Sequence, residues 1–127
     1  MRTMVCFQAA GTRYCLPVEA TRAVRPAGGM VVLPDARADV VGLMPGDPPL
    51  TVISPLGAGQ DGQILVVQTG EVTFGLLVDT VSGLRRVDDA GIRVAPQGQD
   101  RVLVSGIVDA DDGMMLVADA AALGERL

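Results

Sequence analysis

The residue types that most often do chemistry are sparse in this chain. His is absent, and His is the usual general base near neutral pH. Lys is absent as well, so all ten positive charges are Arg, and Ser54, Ser82, Ser105, Cys6 and Cys15 lack an ordinary base to activate them. Three local patterns look like sites. Gly57-Ala58-Gly59-Gln60-Asp61-Gly62 has GxGxxG spacing, but a dinucleotide site needs a helix directly after it so that the helix N-terminus meets the pyrophosphate. Here the glycines lead instead into the apolar run Ile64 to Gln68, so they read as a flexible loop. Asp109, Asp111 and Asp112 before Gly113 approximate a calcium loop, with the glycine one place early and no closing Glu. They read as the acidic tip of a hairpin. Asp79 ends an apolar run without a partner carboxylate, which suits a strand-end Asp that accepts backbone hydrogen bonds. No catalytic, cofactor-binding or metal-ligating set is expected.

The elements that position these residues are strands. Ile64 to Gln68 and Val72 to Val78 flank Thr69-Gly70-Glu71, the pattern of a hairpin. Val81 to Val87 forms the next strand, bent near Ser82-Gly83. Toward the N-terminus, Met4 to Ala9 and Arg13 to Val18 pair across Ala10-Gly11, a short turn covers Val18 to Thr21, and Arg22 to Pro26 is another strand. Gly28-Gly29 breaks it; Met30 to Leu33 is apolar, and a single helical turn is expected over Asp35 to Asp39. Val40 to Met44 and Leu50 to Ser54 are strands separated by Pro45-Gly46-Asp47-Pro48-Pro49, where clustered prolines require a loop or a sheet edge. Val102 to Val108 and Met114 to Val117 make the last hairpin, and Asp119 caps a short helix with Ala120, Leu123 and Leu127 on one side. Short strands with frequent turn signals favour an all-β barrel or sandwich.

A chain of 127 residues fits one domain, 1–127, with 49% apolar residues and a mean hydropathy of +0.39 that exclude disorder. Aromatics at 2% and a net charge of −5 argue against nucleic acid, which rewards stacking platforms and positive charge. No targeting segment and no apolar run long enough for membrane insertion is expected, which points to the cytoplasm. Cys6 and Cys15 would face each other across a two-residue turn; free, partly buried thiols are expected, a disulfide being the alternative in an oxidising compartment.

The ordered set of strand motifs resembles the CheW-like domain family, which comprises the adaptor of bacterial chemotaxis arrays and the regulatory module of their CheA histidine kinases. The matching pieces are Phe7 with Tyr14-Cys15-Leu16-Pro17-Val18, Leu33-Pro34 with Val40-Val41-Gly42-Leu43, and Leu50 to Ser54. They continue with Gly75 to Asp79, Val81 and Val87, Ile92 with Pro96, Val104 to Ile107, and Met115 to Asp119 with Leu123. The resemblance covers almost the whole chain.

It implies two small five-stranded SH3-like or OB-like barrels packed together with crossing strands, and a short C-terminal helix. It also implies a non-enzymatic adaptor that couples the cytoplasmic tip of chemoreceptors to the regulatory domain of a CheA-type kinase. An apolar groove between the barrels would take a receptor helix, and exposed barrel ends would meet the kinase. Aligned to those regions are Val24, Val41, Gly42, Leu43 and the loop Pro45, Gly46, Asp47, with Arg85 and Arg86 as candidates for ion pairs with a partner. Ordinary core and solvated strand faces are the alternative reading of the same residues. The sequence departs from the family pattern at Ala23, where Glu is usual, and at Met44-Pro45-Gly46-Asp47, which lacks the usual Arg. A divergent module in a type IV pilus or other chemosensory-like pathway is the alternative function. A module regulating an unrelated protein and a ligand-binding barrel are further ones.

Overall fold

A computed structural model describes residues 1–33, 39–94, 103–110 and 112–127. The helical turn expected over Asp35 to Asp39 falls mostly outside them, as do Pro34, Pro96, Val102 and Asp111. The described strands are β1 (Arg2–Ala9), β2 (Thr12–Pro17), β3 (Thr21–Pro26), β4 (Val31–Val32), β5 (Val40–Met44) and β6 (Leu50–Ile53). They continue with β7 (Gln63–Thr69), β8 (Val72–Val78), β9 (Thr80–Val87), β10 (Ile92–Val94), β11 (Val104–Ala110) and β12 (Gly113–Ala118), before helix α1 (Ala120–Gly124). The helix is shorter than the sequence pattern suggested, but Asp119 does cap it, its side chain accepting from the Ala122 N–H at 3.2 Å. The three-residue strand β10 was not anticipated, since Ile92-Arg93-Val94 is too short to show an alternation.

The strands form two six-stranded sheets, ordered β10-β11-β12-β2-β1-β9 and β3-β7-β8-β6-β5-β4. Each is five strands plus one short edge strand, β10 or β4. The chain crosses from the first sheet to the second after β2 and returns at Asp79, between β8 and β9. A 3-10 turn, Val18–Ala20, makes the first crossing.

The two sheets have the same topology under circular permutation. When β9 to β12 are placed ahead of β1 and β2, they correspond in order to β3 to β8, and each sheet has one parallel pair at its centre, β2 with β12 and β8 with β6. The irregularities correspond as well. β1 against β9 slips beside Gly83 and β7 against β3 slips beside Ala23. The breaks opposite Gly42 in β5 and Gly106 in β11 are also equivalent. Side chains repeat at a constant offset, with Gln8 and Gln68, Tyr14 and Phe74, Leu16 and Leu76, and Arg25 and Arg85 in matching places.

Alternation within each strand distributes the core. One face of β1 sends Val5, Phe7 and Ala9 into a cluster shared by both sheets, where they meet Leu65, Val67, Phe74 and Leu76. The other face sends Met4 and Cys6 into a cluster belonging to the first sheet, with Cys15, Val87 and Met115. The second sheet has its own counterpart in Ala27, Met44, Val52, Ile64 and Leu77. The sequence-expected bend near Ser82-Gly83 is present, and Gly83 takes φ +132°, a conformation side chains rarely adopt. Ala10 and Gly11, both at positive φ, make the two-residue turn between β1 and β2.

Gly42 and Gly106 owe their identity to close packing by an edge strand. A Cβ on Gly42 would lie 2.5 Å from the Val31 carbonyl oxygen, and one on Gly106 would lie 2.7 Å from that of Arg93. Backbone cannot yield as a flexible side chain can, so Gly42→Ala and Gly106→Ala are each expected to destabilise the fold by about 1–3 kcal/mol. Urea unfolding checks this, and full stability in both variants would show that the edge strands can be displaced without cost.

Candidate functional site

The most apolar concavity lies where the two sheets meet. It is a trough of about 410 Å³, with Val5 and Leu65 on its floor and the edge strands β3 and β9 along its sides. Most of the lining comes in equivalent pairs from the two halves of the chain, Val5 with Leu65, Thr21 with Val81, Ala23 with Gly83 and Val24 with Leu84, and Val18 and Arg22 are added from one half alone. A contact surface that two equivalent units build from the same positions is two-fold in character. Val24 and Leu84 stand 45% and 67% exposed on opposite sides. Apolar side chains on a bulged edge strand are available to a partner, because one sheet neighbour leaves them uncovered.

The sequence-predicted residues separate into distinct places. Val24 lines this groove. Pro45, Gly46 and Asp47 line a second cleft with Arg22 and Arg25, at the end of the second sheet. Gly42 is buried against β4 and Val41 packs against the second sheet's own cluster, so both serve the fold directly. Leu43 is half-buried, paired with Val31 and Thr51 across the sheet. Arg86 is exposed, whereas Arg85 already holds an internal carboxylate. Sequence reasoning missed Leu84, Val81, Val5 and Leu65 as groove residues. The constant offset linking Val24 to Leu84 was the signal that could have found them.

Arg85 from β9 and Arg13 from β2 converge on Asp112, beside the start of β12. Arg85 donates to both Asp112 oxygens at 2.9 and 3.1 Å, and Arg13 Nη2 does so at 3.1 Å while Nη1 donates to the Asp112 carbonyl oxygen at 3.0 Å. These hydrogen bonds, Arg85's first and Arg13's second, hold the Asp112 carboxyl well below the usual carboxylate range. Arg93 pairs with Asp109 on the same hairpin. Asp109 and Asp112 at the tip are therefore neutralised by internal arginines. Among the described residues no group of three or more His, Cys, Asp or Glu could hold a metal ion.

The remaining sequence candidates have structural roles. Asp79 accepts from the N–H of Ala10 at 2.8 Å and of Gly59 at 3.0 Å, pinning the hairpin tip and the glycine loop at the crossing between sheets. That loop leads into β7, with no helix between. Cys6 and Cys15 are cross-strand partners, and both are free and buried. Burial pushes the Cys15 thiol up to about 12, with neighbouring Cys6 adding to the effect. Burial raises Cys6 too, against the pull of Arg85 and Arg13.

A family model, the CheW-like domain, matches residues 48–127. The chain belongs to the CheW-like domain family. Its fold is also similar to that of the scaffolding protein TtCheW from Thermoanaerobacter tengcongensis, known from a crystal structure. The TM-score is 0.81 at 22% identity, covering 93% of this chain and 88% of that one. No curated protein matches by sequence. The CheW-like fold confirms the mostly β architecture of paired sheets and the short terminal helix expected from the motif set. Among the described residues no helix is long and apolar enough to cross a membrane.

The thiol and carboxylate environments have measurable consequences. Raised thiol pKa values leave little thiolate, so both cysteines should react slowly with a disulfide reagent at pH 8 and rapidly once urea is added; fast native labelling would contradict their burial. Asp112 is depressed below its ordinary value of 3.8, so its contribution is complete above that value and is lost as pH falls toward the lower folded one. Asp112→Asn should melt at a lower temperature than the parent at pH 6, and the gap should narrow as the pH is lowered below 3.8.

Proposed function

We propose that this chain is a non-enzymatic, cytoplasmic adaptor that couples the tips of chemoreceptors to a CheA-type histidine kinase. The supporting observation is the apolar groove between the two sheets of a CheW-like fold, with Val24 and Leu84 raised on its two sides. An amphipathic helix presenting apolar residues at helical spacing fits such a trough, because the stripe on one helix face covers the floor while its polar face stays in water. The chemoreceptor tip would occupy this groove. The kinase regulatory domain would meet the end of the second sheet at Leu43, Pro45, Gly46 and Asp47, and Arg86 belongs to the corresponding end of the first sheet. Coupling would work by small shifts at these contacts that bias the kinase between activity states.

The loop that would face the kinase supports a second reading. Pro45 to Pro49 presents no Arg, and Ala23 stands where a Glu is usual in the resembling family. A divergent adaptor in a type IV pilus or other chemosensory-like pathway would retain the groove and use a different kinase.

Calorimetry with the regulatory domain of each CheA-type kinase of the same organism, and with a receptor tip fragment, tests both readings. Micromolar binding of the chemotaxis kinase supports the first. Binding of only a kinase from another pathway supports the second. Absence of binding to all of them by folded protein refutes both. Leu84→Asp places a charge in the apolar trough, so it should weaken receptor-fragment binding at least about tenfold without altering kinase binding.

A further inference from the structure

The two-fold character of the groove raises a question of direction. A helix lying in it would meet similar apolar positions either way round, since Val24 and Leu84, and Thr21 and Val81, occupy equivalent places. Arg22 breaks the equivalence in charge. Arg22 lies on the β3 side, and its counterpart on β9 is Ser82, whose hydroxyl donates to the Cys6 carbonyl oxygen at 3.2 Å.

The Arg22 guanidinium is held from behind. Nε donates to Gln68 Oε1 at 2.7 Å, and Nη1 donates to the carbonyl oxygens of Glu19 and Thr21 at 2.8 and 3.1 Å. Among the described residues Nη2 has no hydrogen-bond partner, which leaves two N–H donors on the rim that the apolar trough shares with the cleft beside Pro45, Gly46 and Asp47. A guanidinium already ordered by its own chain loses little further freedom on binding, and its planar fork suits a carboxylate.

We infer that Arg22 sets the direction of the bound helix by pairing with a carboxylate beside the helix's apolar stripe. The occupant is therefore an amphipathic helix with Asp or Glu flanking its apolar residues on one side. This inference rests on the groove being the receptor site.

The probe is the receptor tip fragment, titrated into the full chain at low and high salt, with Arg22→Gln, Arg22→Lys, Leu84→Asp and the double exchange Arg22→Ser/Ser82→Arg alongside. Circular dichroism establishes folding, and Arg22→Lys serves in place of Arg22→Gln if the latter does not fold. Arg22→Gln is expected to weaken binding about tenfold and to flatten its salt dependence, since losing one partner of a close interfacial charge pair costs that much or more. Arg22→Lys should fall between parent and Gln, because it keeps the charge and loses the fork. A spin label placed next to the fragment's carboxylate should broaden amide resonances of β3 in the parent and of β9 in the double exchange. Arg22→Gln binding within twofold of the parent while Leu84→Asp abolishes it would overturn the inference and leave the groove reading standing. An unchanged broadening pattern in the double exchange would do the same. If Leu84→Asp also binds like the parent, the groove reading fails, and the inference with it.

Discussion

The layer of apolar side chains that neither sheet can bury alone constrains the rest of this molecule. Val5, Phe7 and Leu16 from one sheet and Leu65, Phe74 and Leu76 from the other share a single cluster. With only two Phe, one Tyr and no Trp, this cluster depends on close interdigitation of aliphatic side chains rather than on large aromatic areas. Phe7 and Tyr14, stacked with centroids 5.6 Å apart, are its main aromatic contact. Because β1 and β7 both contribute to it, the sheets meet along those strands, and the groove opens beside that junction between edge strands β3 and β9. The groove is thus a by-product of how the core is shared.

The crossings have the same origin. A chain that returns to its first sheet at Asp79 must hold two strands at a sharp change of direction. Asp79 does so with two backbone hydrogen bonds to segments remote in sequence. A carboxylate with both oxygens occupied by N–H groups is a structural anchor. That gives a structural role to an acid at the end of an apolar run, which on composition alone could be weighed as catalytic.

Equivalent halves have diverged where they meet solvent or each other's core. Gly75 in the second sheet leaves room for Ile64 and Val52, both close to where its Cβ would be, whereas the matching position in the first sheet is Cys15, beside the unbranched Met4. At the sheet ends the loop after β5 is proline-rich and the loop after β11 is acidic and held by arginines. The two similar scaffolds therefore present chemically unlike ends.

Most strands were legible because turn chemistry and alternation are local. The hairpin of β7 and β8, the bend at Gly83, the cap at Asp119 and the facing of Cys6 and Cys15 all arise from residues near one another in sequence. The absence of His and Lys likewise bears on chemistry without any structure. By itself the sequence determined most of the strand set, though not β10, together with the low prospect of catalysis and, through its ordered motifs, the family. Only the tertiary structure decided which strands lie at sheet edges, that Gly42 is a packing residue and that Arg85 already holds Asp112. It also decided that Val24 and Leu84 flank one trough. Those outcomes depend on contacts between residues far apart in the chain. Whether a side chain is buried, paired or presented is a property of the partners brought against it, and a single strand pattern cannot specify them.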